Sequence, residues 1–282
     1  MGEAYIIDAV RTPVGRRGGG LAEEHPADLG AHAIKGLIDR VGIDPMTVDD
    51  VIMGCLDNMG PQAGDIARTA WLAAGMPEAI PGVTVDRQCG SGQQAVSFAA
   101  MGVMSGVQDI VVAGGMQNMS LIPIGSAMDV MGHESIGRPD IEDPFSTSKG
   151  WVERYGTQEV SQFRGAELIA KKWDLGRQDL EEFALESHER AARAQDEGRF
   201  DNEILPYGDV TQDEGVRRGT TLEKMAQLPT LEEGGVITAA VASQISDGAV
   251  ALMVASEKAV KEYGLKPRAR IHHISVRGDD PI

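Results

Sequence analysis

Short apolar strands alternate with helical patterns over the first 118 residues, and few folds accommodate that order. YIIDAV (5–10) reads as a strand, DLGAHAIKGLIDRVG (28–42) as an amphipathic helix ending at Gly42, and DVIMGC (50–55) as a second strand. DIARTAWLAAG (65–75) is a helix closed by Gly75 and Pro77; GVTVD (82–86), a helix over 90–105 and DIVVAGG (109–115) follow. Apolar strands joined through helices predict a parallel or mixed sheet with helices on both faces.

The pattern then changes. Residues 119–160 are rich in Met, Gly, Pro and Ser without periodicity, which predicts irregular structure. QFRGAELIAKKWDLG (162–176) places Ala166, Ile169, Ala170 and Trp173 on one helical face. QDLEEFALESHERAARAQDEG (178–198) does the same for Leu180, Phe183, Ala184, Ser187 and Ala191. Gly176 fits the N-cap of that second helix, with Asp179 in its first turn and Gly198 beyond its end. Residues 199–235 read as charged loop. Alternation resumes with GAVALMVAS (248–256), a helix over 257–263 and the strand-like RARIHHISV (268–276). The expectation is one discontinuous α/β domain, 1–118 and 249–282, interrupted by an inserted region, 119–248, of ordinary domain size.

The net charge of −17 argues against nucleic acid as a partner, because phosphate backbones require basic surface. Arg217-Arg218 and Lys171-Lys172 remain candidates for a local phosphate pocket, with solvated surface pairs as the competing reading. No window approaches 18 uninterrupted apolar residues, so no membrane span is expected. MGEAYIIDAVRTP lacks the features of a secretory signal, and a cytoplasmic protein is the expectation. Two cysteines, Cys55 and Cys89, are too few for a disulfide framework or a four-thiolate zinc site. The six histidines, His133 among them, show no metal-binding spacing. His272 and His273 fall on opposite faces of the expected last strand and cannot chelate together.

VDRQCGSGQQA (85–95) sets Cys89 between a strand and the start of a helix. Unpaired N–H groups at a helix start carry roughly +0.5 charge, which favours thiolate. Gly90 and Gly92 leave room for a substrate to approach the backbone, and turn amides can stabilise an oxyanion. Three readings stand on these residues: a nucleophile, an inert apolar cysteine, and a phosphate-binding glycine loop that lacks the Walker lysine.

VDRQCGSGQQAV resembles the nucleophilic-cysteine motif of the thiolases, the acetyl-CoA acetyltransferase and 3-ketoacyl-CoA thiolase family. IIDAVRTPVGRRGGGL (6–21) is similar to the family's N-terminal strand and turn, and VAGGMQNMS (112–120) to its Gly-Gly-Met segment. FALESHERAARAQDEGRFDNEILP (183–206) and RRGTTLEKMAQL (217–228) resemble its loop domain, and ASQISDGAVALMVAS (242–256) the return into the core. The resemblance implies a thiolase-like fold: a mixed five-stranded sheet with helices on both faces, interrupted by a CoA-binding loop domain. It implies reversible Claisen chemistry on CoA thioesters through an acyl-Cys89 intermediate, with CoA and acyl-CoA as substrates and no permanent cofactor or metal. It places Ser243 at the pantetheine arm of CoA, Arg217 near the nucleotide end, and Ala239 and Leu231 along the same channel. A homodimer or homotetramer is the implied assembly.

Two departures accompany the resemblance. Val241 stands where many members carry Asn. The family's Asn-Glu-Ala-Phe, Gly-His-Pro and Cys-x-Gly-Gly-Gly motifs do not occur, so the chain reads as an N-terminal half and loop domain with the C-terminal half absent. Cys55 precedes Cys89 on an expected strand and reads as core rather than as the second catalytic cysteine. The alternative is a non-catalytic thiolase-like subunit or acyl-CoA-binding partner completed by another chain. The RTP, GTTLE and SQISDG segments favour thiolases over ketoacyl synthases, and no GxGxxG follows the first strand as a dinucleotide site requires.

Overall fold

The computed structural model describes residues 2–128 and 144–282, so residues 129–143, with His133 and part of the irregular 119–160 stretch, lie outside the described residues. The chain divides into two compact units. The sheet unit comprises Met1–Ala127, Asp201–Glu214 and Ile245–Ser275; the second comprises Met128–Phe200, Gly215–Gln244 and Val276–Ile282.

Five strands of four or more residues build the sheet: β1 (Ala4–Arg11), β3 (Asp50–Gly54), β4 (Gly82–Val85), β5 (Ile110–Asn118) and β6 (Ser246–Ser256). The two-residue strands β2 (Gly15–Arg16) and β7 (Ala269–Arg270) extend them. The order is β4-β3-β5-β6-β1-β7, with β2 also paired to β6. β4, β3 and β5 run parallel, whereas β6 is antiparallel to both β5 and β1. This is the mixed sheet that the alternation predicts.

Period two along the strands sorts their side chains to two faces. Val51, Met53, Val112 and Met253 join Leu29, Ile34 and Leu37 of α1 (Pro26–Val41) and Trp71 of α2 (Ile66–Ala73) in one core. Ile52, Val111, Ala113 and Val254 pack with Ala95, Ala99, Ala100 and Val103 of α3 (Ser91–Ser105) on the other face. Local chemistry sets the helix ends. The His25 imidazole accepts the Ala27 N–H ahead of Pro26, and Gly42 closes α1 at φ 73° with its N–H on the Ile38 carbonyl. Gly106 closes α3 at φ 79°.

The 201–214 segment belongs with the sheet. Arg11 and Leu205 exchange backbone bonds with Glu203 and Arg11, and the Arg11 guanidinium binds Glu203 at 2.8 Å and Asp213 at 2.6 and 2.9 Å. Arg11→Ala should lower the unfolding free energy by about 2 kcal/mol in urea titrations. That is less than a fully buried pair costs, because the Arg11 side chain keeps 19% of its exposure. A loss below a few tenths of a kcal/mol would mean that the pair stabilises nothing.

One sequence reading fails here. RARIHHISV was expected as a strand, but only Ala269–Arg270 pairs, opposite Tyr5 and Ile6, and His272 and His273 lie beyond it without regular structure. Arg268 and Ile271 also donate their N–H groups to Ile6 and Ala4, but beyond Ile271 alternation supplies a strand-like pattern and no strand neighbour.

In the second unit, α5 (Gln162–Lys172) and α6 (Arg177–Asp196) form where helical spacing predicts them, and α4 (Lys149–Tyr155) and α7 (Leu222–Ala226) fall in stretches read as loop. α8 (Glu257–Glu262) returns to the sheet unit. Ser148 and Thr221 cap α4 and α7 through their hydroxyls. Gly176 caps α6, and its N–H is bound by Asp179 Oδ2 at 2.8 Å. Of the expected α5 face, Ala170 is buried, whereas Ile169 and Trp173 are more than half exposed.

Candidate functional site

The carboxyl ends of the parallel strands place Cys89. β4 leaves the sheet at Val85, Asp86–Gln88 turn, and α3 begins two residues after Cys89. Ser91 ties the turn together: its hydroxyl accepts the Arg87 N–H at 2.8 Å and donates to the Gln88 carbonyl at 2.5 Å. Gln88 sits at φ 45°, a left-handed conformation that costs a non-glycine residue about 1 kcal/mol. The Asp86 carboxylate accepts the Gln88 N–H at 2.9 Å and supports that conformation. The strained residue immediately precedes the cysteine, and the Cys89 side chain is exposed.

Glycines let the start of α3 lie against the sheet. A Cβ on Gly54, the last residue of β3, would fall 2.3 Å from the Ser91 carbonyl carbon and 2.4 Å from the Gly92 nitrogen. On neighbouring β5, a Cβ on Gly114 would meet the Val250 carbonyl oxygen at 2.0 Å. The height of Cys89 above the strand ends is thus fixed by backbone-to-backbone contact.

Cys55 is different. It is 2% exposed, with its sulfur 3.4 Å from the Leu56 carbonyl and from Gln117 Oε1. Burial, followed by the charges of Asp86 and Asp57, pushes its thiol from 9.0 up to about 12. The two cysteines should therefore separate in alkylation. Iodoacetamide at pH 8 should label Cys89 in the folded protein and spare Cys55, as read by peptide mass spectrometry. The raised value has a sign for stability. Above pH 9 the unfolded thiol loses its proton and the folded one keeps it, so Cys55 lowers stability progressively between about pH 9 and 12. Cys55→Ala should flatten that alkaline decline.

Polar side chains pin the loop that follows β5. Asn118, fully buried, donates to the Leu21, Ala22 and Glu24 carbonyls and accepts the Leu121 N–H. Asp247 accepts the Ser120 N–H and hydroxyl, and Asp57 accepts the Gly125 and Ala127 N–H groups. This part of the irregular stretch has a fixed path.

The other four candidate residues, Ser243, Arg217, Ala239 and Leu231, lie in the second unit and are exposed. Structure relates them in pairs. Gln244 donates to the Gly215 carbonyl at 2.8 Å, which ties the segment of Ser243 to that of Arg217. Leu231 donates its N–H to the Ile237 carbonyl, and Thr230 bridges Thr238, so Leu231 and Ala239 flank one small hairpin. The Arg217 N–H binds His188 Nδ1 at 3.3 Å. Burial, then the Arg217 charge, pulls His188 below its usual value. Arg218 is engaged by Asp196 at 2.8 and 3.1 Å, whereas no hydrogen bond or ion pair occupies the Arg217 guanidinium among the described residues. Two contributors were not visible in the sequence: Gln244, and Glu167, which reaches the hairpin from α5. Their partners are 29 and about 70 positions away, so no local pattern announces them.

Among the described residues no group of three His, Cys, Asp or Glu side chains could hold a metal, and no helix is long and apolar enough to cross a membrane.

Comparison with known proteins gives one consistent answer. A profile of the thiolase N-terminal domain matches residues 4–258. A steroid 3-ketoacyl-CoA thiolase of Mycobacterium tuberculosis is 60% identical over 286 residues, which cover 100% of this chain and 69% of that protein. A 3-oxoadipyl-CoA/3-oxo-5,6-dehydrosuberyl-CoA thiolase of Escherichia coli is 38% identical, with 100% and 73% covered. A beta-ketoadipyl-CoA thiolase of Pseudomonas aeruginosa is 39% identical, with 99% and 72% covered. The chain spans about 70% of the length of these relatives.

Proposed function

Because the chain belongs to the thiolase family, we propose that its thiolase-type acyltransferase chemistry runs through Cys89. The observation that carries this reading is the exposed thiol on a strained turn, held at the strand ends by glycine contacts. In thiolysis, the Cys89 thiolate attacks the 3-keto carbon of a 3-ketoacyl-CoA. The bond between C2 and C3 breaks, and the acetyl-CoA carbanion so released takes up a proton. The acyl group then passes from Cys89 to the thiol of a second CoA, which gives up its proton and restores the cysteine thiolate. Condensation of acetyl-CoA is the same sequence reversed. Covalent transfer divides one difficult step into two easier ones.

In this reading the inserted region, 119–248, binds CoA. Ser243 meets the pantetheine arm, Arg217 the nucleotide end, and Ala239 and Leu231 line the channel between. The unengaged Arg217 guanidinium beside the Gly215–Gln244 tie supports that assignment. CoA and acyl-CoA are substrates, with no permanent cofactor. The protein acts in the cytoplasm as a homodimer or homotetramer. The 60% identity to a steroid 3-ketoacyl-CoA thiolase favours a 3-ketoacyl-CoA substrate.

Intact-mass spectrometry after incubation with acetyl-CoA tests the reading. One acetyl group mapped to Cys89 supports it. Binding of acetyl-CoA without acetylation would favour the acyl-CoA-binding subunit instead.

A further inference from the structure

We propose that Glu167 is a positioning residue for the CoA substrate, holding the hairpin that presents Leu231 and Ala239 in the conformation that receives it. The inference rests on the reading of the inserted region as the CoA-binding part.

Glu167 lies on α5, and its carboxylate accepts three backbone bonds from the hairpin. Val236 donates to Oε1 at 2.8 Å and to Oε2 at 3.0 Å, and Ile237 donates to Oε1 at 2.8 Å. Bonds from N–H groups to an ionised carboxylate are roughly twice as strong as neutral ones. The fit is close: a Cβ on Gly235 would stand 2.2 Å from Oε1, so a side chain there would push the carboxylate aside. Ile237 and Thr238 pass the constraint on. Ile237 accepts the Leu231 N–H, and the Thr238 carbonyl accepts the Val241 and Ala242 N–H groups. The Thr238 hydroxyl accepts the Ala240 N–H at 3.2 Å. Glu167 thus orders the backbone from Leu231 to Ala242, and Ser243 is the next residue.

The burial pattern argues for a local role. In the second unit the buried apolar side chains, among the described residues, are Ala170, Met225 and Ile237. So small a core leaves the hairpin held chiefly by polar contacts. Loss of Glu167 should free the hairpin without unfolding the sheet unit that carries Cys89. Binding of the long CoA substrate then suffers, and the chemistry at the thiol does not.

The test is single-turnover acetylation of Cys89 at varied acetyl-CoA concentration, in Glu167→Ala and in Gly235→Ala, which displaces the carboxylate while retaining it. Each should raise the half-saturating concentration about tenfold and leave the limiting rate within about twofold of the parent. S-acetyl-N-acetylcysteamine, which lacks the nucleotide and most of the pantetheine arm, should acetylate both variants at the parent rate. Unchanged half-saturation overturns the proposal. So does an equal loss with the short thioester, or failure of both variants to fold. If the unsubstituted protein is not acetylated at all, it is the nucleophile assignment that fails. Calorimetry of CoA binding to Cys89→Ala, with and without Glu167→Ala, then decides the positioning role: about tenfold weaker binding supports it and equal affinity overturns it.

Discussion

Replacing Cys89 by alanine should reduce acyl transfer by ~10⁴-fold or more and leave the melting temperature nearly unchanged. Both halves of that result follow from the geometry. The Cys89 side chain is exposed, so its removal opens no cavity, and the turn around it is held by Ser91 and Asp86 rather than by the thiol. What disappears is the atom that, in the proposed function, accepts the acyl group. Cys89→Ser should be nearly as inactive, because a hydroxyl without an activating base is a poor nucleophile at neutral pH. Steady-state assays of 3-ketoacyl-CoA cleavage read the outcome. Activity within tenfold of the parent in Cys89→Ala would remove the residue from the mechanism.

Gly54→Ala should be costly in two ways at once. The added methyl would overlap the backbone of Ser91 and Gly92 at 2.3–2.4 Å, and neither can rotate aside as a flexible side chain would. Relief requires the first turn of α3 to move. We expect a stability loss of about 3 kcal/mol, the upper end for overpacking. A displacement of about 1 Å at a reacting group costs ~10²-fold in rate, so activity should fall by about that factor in the fraction that remains folded. Gly165→Ala is the control: it lies in α5 with nothing within 4 Å of its added methyl, and should stabilise by about 0.5–1 kcal/mol. Urea titration and assay of both variants together would show the contrast. Parent-like stability in Gly54→Ala would mean that the contact is easily relaxed.

The framework was legible because its signals are local. Gly42 and Gly106 end α1 and α3 where the periodicity stops, and the strand residues sort to two faces by alternation alone. Short helices escaped because five to seven residues carry too little periodicity, although Ser148 and Thr221 were available as cap signals. RARIHHISV misled for the opposite reason: its alternation is regular, but its backbone bonds to β1 stop at Ile271. At the site, the place of Cys89 between a strand and a glycine-flanked helix start was legible, but three readings of it stood on those residues and only the resemblance to the thiolases favoured the nucleophile. The left-handed Gln88 and the double bond of Ser91 were not, because they depend on how the turn closes. Glu167 was invisible, since its meaning comes from amides about 70 residues away.

The position of β6 between β5 and β1 bears on the order in which the molecule can assemble during synthesis. β3 pairs with both β4 and β5, so that half of the sheet can form once Asn118 has left the ribosome. Among the described residues β1 pairs with β6 and β7, with Ala4 opposite Ser256, and at its end Arg11 bridges Ile204, although β1 precedes all of these partners in the chain. Until the end of β6 emerges, an apolar strand with both edges unsatisfied along most of its length must wait. Such a strand is an opportunity for wrong pairing between nascent chains and a natural target for a holding chaperone. Refolding yield of this protein should therefore fall steeply with concentration, a liability that belongs to its chain order and not to its finished stability.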